Sequence, residues 1–377
     1  MSVLTTVEKE MNEIFFERTT EIRTMLLCLL AGRHMVMLGE PGVGKSALAR
    51  ELCNRIEGAE LFEHLMRRDS TTDELFGPLS LKGLEKDEFR RNGTGRIQKC
   101  DIAFVDEVFK ANSTVLNGLL NIMNEGIYKD NNKIVKTPML LLIGASNEYP
   151  MTDDLGAVWD RFLMRIEVQD IDESENFERF IISKIRNIKP KRTTFTIKDL
   201  EEAKAEMKKV KIDAKIVKQL SFLKGQLKSK GISLASRRFE HFLDILKAEA
   251  YLNGTDAVAK DDFCALEPAI WITREERPYA RECLQECYSG PLKKVIKIFD
   301  DATKTFREST KEENVSKKME LVSKLQNLAP DFEELTEEAE THASGDKIRR
   351  YLEKIDNLKN LIFSETWVAK SSAKSTK

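Results

Sequence analysis

The chemistry of this chain concentrates in Gly39-Glu40-Pro41-Gly42-Val43-Gly44-Lys45-Ser46, with Ala47 opening an apolar-periodic run behind it. Four apolar residues, Met35 to Leu38, precede the loop and read as a buried strand. Strand, glycine-rich loop and helix together make a phosphate cradle, because consecutive backbone N–H groups can converge on one anion beside a positive helix end. In that reading Lys45 carries charge to the β- and γ-phosphates of a nucleoside triphosphate, and Ser46 offers a hydroxyl to Mg²⁺. A second stretch, Ile102-Ala103-Phe104-Val105-Asp106-Glu107, runs four apolar residues into two acids. Such a strand ends at the carboxyl edge of a parallel sheet, where ligands collect. Asp106 fits a Mg²⁺ ligand and Glu107 a base that orients water. A third strand, Met139–Ile143, leads to Ala145-Ser146-Asn147-Glu148, which sets the Asn147 amide at the same edge to bond the water or the γ-phosphate.

Helices and strands must position these groups. Spacing predicts a helical lead-in over 1–12 and a helix from about Glu17 to Leu30, ended by Gly32. Leu61–Met66 reads as a strand and Ser70–Glu74 as a helix start. Leu79–Arg96 reads as an insertion of hairpin and loop, Val115–Met123 as an amphipathic helix, and 127–138 as a second hairpin. A short helix over Ala157–Phe162 carries Asp160-Arg161, then Arg165 precedes a strand at Ile166–Val168. From Ser174 the pattern is helical, with helices expected over Phe177–Ile188, Leu200–Val210, Ala214–Lys228, Ser236–Leu252 and Asp261–Trp271. Beyond Pro278, stripes at Val295, Ile298, Phe299, Ala302, Phe306 and at Val315, Met319, Val322, Leu325 predict helices. Ile348, Tyr351, Ile355, Leu358 and Ile362 form a short heptad run that suits a coiled coil or an antiparallel hairpin.

With 377 residues, 41% hydrophobic and 33% charged, the chain has room for two or three soluble domains. A net charge of −2 supplies no basic footprint for nucleic acid. Six cysteines without framework spacing, no apolar run long enough to span a bilayer and no signal peptide predict a cytoplasmic protein. Cys283 and Cys287 can share a helix face, and two half-buried thiols explain them more simply than zinc.

The order of phosphate loop, Asp106-Glu107, Asn147, Arg161 and Arg237 resembles the AAA+ ATPases, and within them the MoxR family, closest to its RavA group. Phe16-Glu17-Arg18, Leu65-Met66-x-Arg68-x-Ser70-Thr71, Leu75-Phe76-Gly77-Pro78, Leu116-Asn117-x-Leu119-Leu120 and Arg237-Arg238-Phe239 carry that resemblance over roughly 14–275. It implies an α/β fold with an AAA+ P-loop core at 1–172, a parallel sheet between helices. A helix-2 insert at about 79–97 and a pre-sensor hairpin at about 127–138 decorate that core. A helical lid at 173–275, a C-terminal helical module at 276–363 and a disordered tail at 364–377 follow. It further implies that Asn147 is sensor 1, that Arg237 is sensor 2 acting from the same subunit's lid, and that Arg161 is the arginine finger lent to a neighbour, with Arg165 the runner-up. The implied function is Mg-dependent ATP hydrolysis by a homohexameric, chaperone-like ring that remodels a protein client beside a von Willebrand factor A-type partner. ATP over GTP rests on the resemblance alone. A nucleic-acid motor, kept open by Lys82, Arg90, Arg91 and Arg96 and by the basic run Lys184–Arg192, and a slow nucleotide-gated scaffold are the alternatives.

Overall fold

The computed structural model describes residues 2–85, 91–130, 133–150, 155–186, 191–311, 335–336, 345, 348–349 and 351–356. Their contacts divide the chain into two compact units, Met1–Arg277 and Pro278–Lys377. In chain order the first unit opens α1 (Val3–Ile14), α2 (Thr19–Ala31), β1 (His34–Leu38), α3 (Lys45–Asn54), β2 (Leu61–Leu65), α4 (Thr72–Phe76) and α5 (Leu81–Leu84). It continues with β3 (Ile102–Asp106), α6 (Ser113–Glu125), β4 (Ile127–Asp130), β5 (Lys133–Lys136), β6 (Leu141–Ser146), α7 (Gly156–Arg161) and β7 (Phe162–Glu167). Four helices follow, α8 (Ser174–Ile185), α9 (Ile197–Lys209), α10 (Ala214–Ser229) and α11 (Ser236–Leu252), then α12 (Arg277–Gln285) and α13 (Gly290–Lys311).

Five strands form one parallel sheet in the order β2-β3-β6-β1-β7. The uninterrupted apolar runs explain this arrangement. Every residue of β1 and β6 is buried, as expected for strands covered on both faces. The edge strand β2 has a mixed burial pattern. Against the sheet lies α2, with Ile22, Met25, Leu26, Leu29 and Leu30 all buried. Burying a side chain of that size is worth about 1.5–3 kcal/mol. The helix α11 packs beside α2, where Arg23 donates to Glu249 at 2.8 Å and Arg33 to Asp244 at 2.8 Å.

Several boundaries differ from the sequence reading, for non-local reasons. The strand expected at Ile166–Val168 begins at Phe162, because Phe162 pairs with His34 of β1. Arg165 therefore lies inside a strand. The strand expected at Met139–Ile143 is Leu141–Ser146, set by pairing to β1 and β3. Of the insert expected as hairpin and loop, the described residues hold α5 and an antiparallel bridge between Leu79 and Arg91, while 86–90 lie outside them. Lys260–Ala269 is a 3-10 segment, with Pro268 inside it, in place of an α-helix over Asp261–Trp271. The hairpin at 127–138 pairs antiparallel, Ile127 to Lys136 through Asp130 to Lys133.

Within the second unit, Val295, Ile298 and Ala302 of α13 are buried, as are Ile348 and Ile355. The Phe299 and Tyr351 rings stand 5.4 Å apart, so the first stripe and the heptad run meet each other. The stripe Val315–Leu325, the heptad residues Leu358 and Ile362, and the 364–377 tail lie outside the described residues.

Candidate functional site: a phosphate loop at the sheet's carboxyl edge

The loop leaves β1 under tight control. Gly39 N–H donates to the Ser146 carbonyl at 3.0 Å, and Val168 N–H donates to the Leu38 carbonyl at 2.7 Å. A Cβ on Gly39 would stand 2.2 Å from the Val168 carbonyl oxygen, so only glycine lets β7 close over this turn. Gly44 caps α3 with φ at +89°, a left-handed backbone that ordinary side chains resist. The result is an array of donors. Among the described residues no protein acceptor meets the backbone N–H groups of Val43, Gly44, Lys45, Ser46 and Ala47. Unpaired N–H groups at a helix N-terminus make an anion receptor.

Lys45 is 8% exposed and its ammonium donates to the carbonyls of Gly39 and Glu40. Burial pushes its pKa down, while the Asp106, Glu107 and Glu40 carboxylates pull it back up. No carboxylate pairs with it directly among the described residues, which leaves a buried cation matched to an anionic ligand. Glu40, Pro41 and Gly42 are exposed, and Val43 and Ser46 half-buried.

Asp106 ends β3, and its Oδ1 accepts from Glu107 N–H at 3.0 Å. Glu107 itself has φ at +51°, one of two non-glycine residues with positive φ among those described. Such strain costs about 1–3 kcal/mol and persists where the surroundings require it. Its Oε2 is buried without a hydrogen bond, 3.3 Å from the Lys110 ammonium. Asn147 follows β6 and is exposed. Because β6 pairs with both β1 and β3, Gly39, Asp106, Glu107 and Asn147 share one edge of the sheet.

Arg161 occupies the other edge. It ends α7 directly before Phe162, which is in register with His34 at the start of β1. Five residues at ~3.3 Å each separate that edge from the phosphate loop by ~16 Å. Among the described residues it pairs with Asp160, at 3.4 Å. Arg165, the runner-up finger, is 1% exposed. Its guanidinium donates to the Trp271 and Trp159 carbonyls and lies 4.6 Å from the Trp159 ring centre. Burial, then the neighbouring Arg238 charge, push its pKa well down. Arg165 is a core residue and cannot reach outward.

The arginine pair at the start of α11 splits in the same way. Arg238 is buried, donating to Asp160 at 2.8 Å and to the Leu163 and Ala269 carbonyls at 3.2 Å each. Arg237 is exposed and makes no ion pair among the described residues. These bonds hold the first turn of α11 at the Arg161 edge. Arg237, expected to report to its own subunit's phosphate loop, stands on that turn beside Arg238.

Sequence reasoning missed the work of Glu17 and Arg18, although the Phe-Glu-Arg run was visible. Arg18 is 5% exposed and donates to the Val43 carbonyl at 3.3 Å and to Gln169 at 2.6 Å, tying the phosphate loop to the segment after β7. Glu17, with φ at +58°, accepts from the N–H groups of Asp172 and Glu173 at 2.9 and 3.1 Å, and so caps the entry to α8. In the insert, Arg91 donates to Asp73 and Gly77, and Arg96 to the Glu74 carbonyl at 2.8 Å, so both serve the insert's own base. Arg90 lies outside the described residues. Among the described residues no group of three or more His, Cys, Asp or Glu could hold a metal alone, and Cys283 and Cys287 are buried thiols. No helix among them is long and apolar enough to cross a membrane.

A parallel sheet in this order, a phosphate loop with an acidic strand end beside it and a helical lid define an AAA+ ATPase. The chain belongs to the family described as the MoxR domain in the MoxR-vWA-beta-propeller ternary systems, which matches residues 2–206. An AAA lid domain matches residues 215–284. Two uncharacterized proteins of Methanocaldococcus jannaschii are similar. One is 42% identical over 275 residues, covering 73% of this chain and 73% of the relative. The other is 42% identical over 272 residues, covering 72% and 70%. A structural protein, ORF618, of Acidianus two-tailed virus is 28% identical over 168 residues, 43% of this chain and 27% of that protein. The crystal structure of a putative ATPase from Cytophaga hutchinsonii superposes with a TM-score of 0.62 at 18% identity, covering 76% of this chain and 93% of that one, and shares the fold.

Proposed function

We propose that this chain is a Mg-dependent ATPase that assembles into a homohexameric ring and remodels or matures a client protein in the cytoplasm, beside a von Willebrand factor A-type partner. The observation that carries the nucleotide reading is the array of five acceptor-less N–H groups around buried Lys45. The partner rests on the family, whose description couples MoxR to vWA proteins. Within the MoxR family we place the chain with the RavA group, on its Arg237-Arg238-Phe239 run.

The residues divide the labour of phosphoryl transfer, which is mostly positioning and charge neutralisation. Gly39 to Ala47 wrap the phosphates and Lys45 moves its ammonium from loop carbonyls to phosphate oxygens. Ser46 and Asp106 offer the hard oxygen donors that suit magnesium, which when bound neutralises charge between the β- and γ-phosphates. Glu107 accepts a hydrogen bond from the attacking water, with its Oε2 held 3.3 Å from the Lys110 ammonium. Asn147 aligns the same water. Arg161 and Arg237, held at the opposite edge, serve the next subunit's nucleotide, where Arg161 neutralises the transition state.

Lys45→Ala and Glu107→Gln separate these roles. Lys45→Ala should lose nucleotide affinity, whereas Glu107→Gln should hold ATP and stop turning over. Equal ATP affinity in Lys45→Ala and the wild-type protein, measured by titration with a fluorescent ATP analogue, would overturn the loop assignment.

A further inference from the structure

The residues given to the water and the transition state, Glu107, Asn147 and Arg161, each stand two positions from an aromatic ring: Phe109 after Glu107, Tyr149 after Asn147, Trp159 before Arg161. The three rings form one group. Phe109 meets Trp159 edge-on at 5.6 Å, and Tyr149 meets Trp159 at 6.0 Å. A fourth ring, Trp271, closes it, 6.1 Å from Trp159 and 6.4 Å from Tyr149. Trp271 comes from the segment that follows the lid helices and is 1% exposed.

Polar bonds fix the same segment. Trp159 Nε1 donates to the Ile272 carbonyl at 2.9 Å, and Arg165 donates to the Trp271 carbonyl. The Tyr149 hydroxyl donates to Glu167 at the end of β7, whose carboxylate also receives Arg277 and, at 3.2 Å, Arg274. The segment 271–277 therefore grips the Asn147 loop twice, by rings and through a shared carboxylate. It grips α7 as well, and with it Arg161. The water-handling residues stand at one edge of the sheet and the finger at the other, and this cluster is the packing that joins them. Close-packed interiors shift between discrete arrangements instead of deforming smoothly, so Trp271 acts on the Asn147 loop and α7 directly, and on the Glu107 turn through Trp159, which meets all three other rings.

We propose that Trp271 is a positioning residue for ATP hydrolysis, fixing Asn147, Glu107 and Arg161 relative to one another through the Trp159–Tyr149–Phe109 rings. It rests on the ATPase reading above. Misplacing reacting groups by an ångström costs on the order of 10²-fold in rate without removing a binding contact. Trp271→Leu should therefore lower kcat by ~10–100-fold while ATP affinity stays within ~3-fold, and Trp271→Phe, which keeps a ring, should recover most of the rate.

The test combines steady-state turnover, ATP-analogue titration and melting temperature on the full chain. Tyr149→Leu is the second variant if Trp271→Leu fails to fold, and the same split is expected of it. Unchanged kcat in the Leu variants, or kcat and affinity falling together with the melting temperature, overturns the positioning role. A wild-type chain that binds ATP without turnover overturns the ATPase reading instead, and fluorescence then decides the cluster's role separately. In a Trp367→Phe background the remaining tryptophans are Trp159 and Trp271. ATP and ADP should give different emission there, and Tyr149→Leu should erase the difference while both still bind. Identical emission with the two nucleotides overturns the proposal.

Discussion

Gly144 sits in β6, two residues before the strand's end, paired with Val36 on one side and Val105 on the other. Replacing it by alanine keeps the backbone within reach of any residue and adds one methyl. That methyl would stand 2.7 Å from Phe162 Cζ, 3.1 Å from Phe162 Cε1 and 3.2 Å from Val108 Cγ1. Phe162 is fully buried, and its ring meets Phe109 edge-on at 6.4 Å, so it has no free space to yield into. Val108 follows Glu107. The methyl thus acts as a wedge between the core and the Glu107 turn. Overpacking of this kind costs about 1–3 kcal/mol. For a domain of this size each kcal/mol lowers the melting temperature by about 2–4 °C, so a fall of about 2–12 °C is expected in a thermal scan. Turnover should fall as well, because the wedge displaces the strained Glu107 backbone, while ATP affinity at the phosphate loop holds. Phe162→Leu opens room for the methyl, and the double variant Gly144→Ala/Phe162→Leu should be more stable than the sum of the singles by about 0.5–3 kcal/mol. Strictly additive effects, or a Gly144→Ala protein that melts with the wild type, would refute the reasoning.

The remaining expectations test burial, direction and reach. His34 is buried, and burial followed by the Arg33 charge pushes its pKa down to about 4 from 6.5, its Nδ1 accepting from Leu142 N–H at 3.1 Å. Protons then bind the unfolded chain better, so stability should fall as pH drops from 6.5 to about 4, by about 3 kcal/mol in all. His34→Gln should flatten that limb of a urea-midpoint profile, and an unchanged slope would assign it to other groups. Arg161→Ala should bind nucleotide yet lose turnover by ~10³-fold or more, and mixing it with Glu107→Gln protein should restore activity through interfaces that pair intact groups. Confirmed mixed rings without rescue would return Arg161 to a role within its own subunit. Arg165→Ala should lower the melting temperature and gain nothing from mixing, since its loss strips donors from the Trp159 and Trp271 carbonyls; a stable Arg165→Ala protein rescued by mixing would reverse the assignment.

The phosphate loop, the acidic end of β3 and the parallel sheet were determined by the sequence alone. Their signals are local: glycines where the backbone must turn, apolar runs where a strand is covered on both faces, acids where it emerges. The Arg161–Arg165 and Arg237–Arg238 pairs carried no such signal. Arginine has the same propensity and charge at each position, and burial separates them only after β7 pairs with β1 and α11 docks near Leu163. The same holds for the edge of the sheet at which Arg161 stands. Strand register put ~16 Å between Arg161 and its own loop, and register follows from side-chain packing across strands distant in sequence. The ring cluster gathers residues from four separate stretches between Phe109 and Trp271, which only the closed tertiary structure brings within contact.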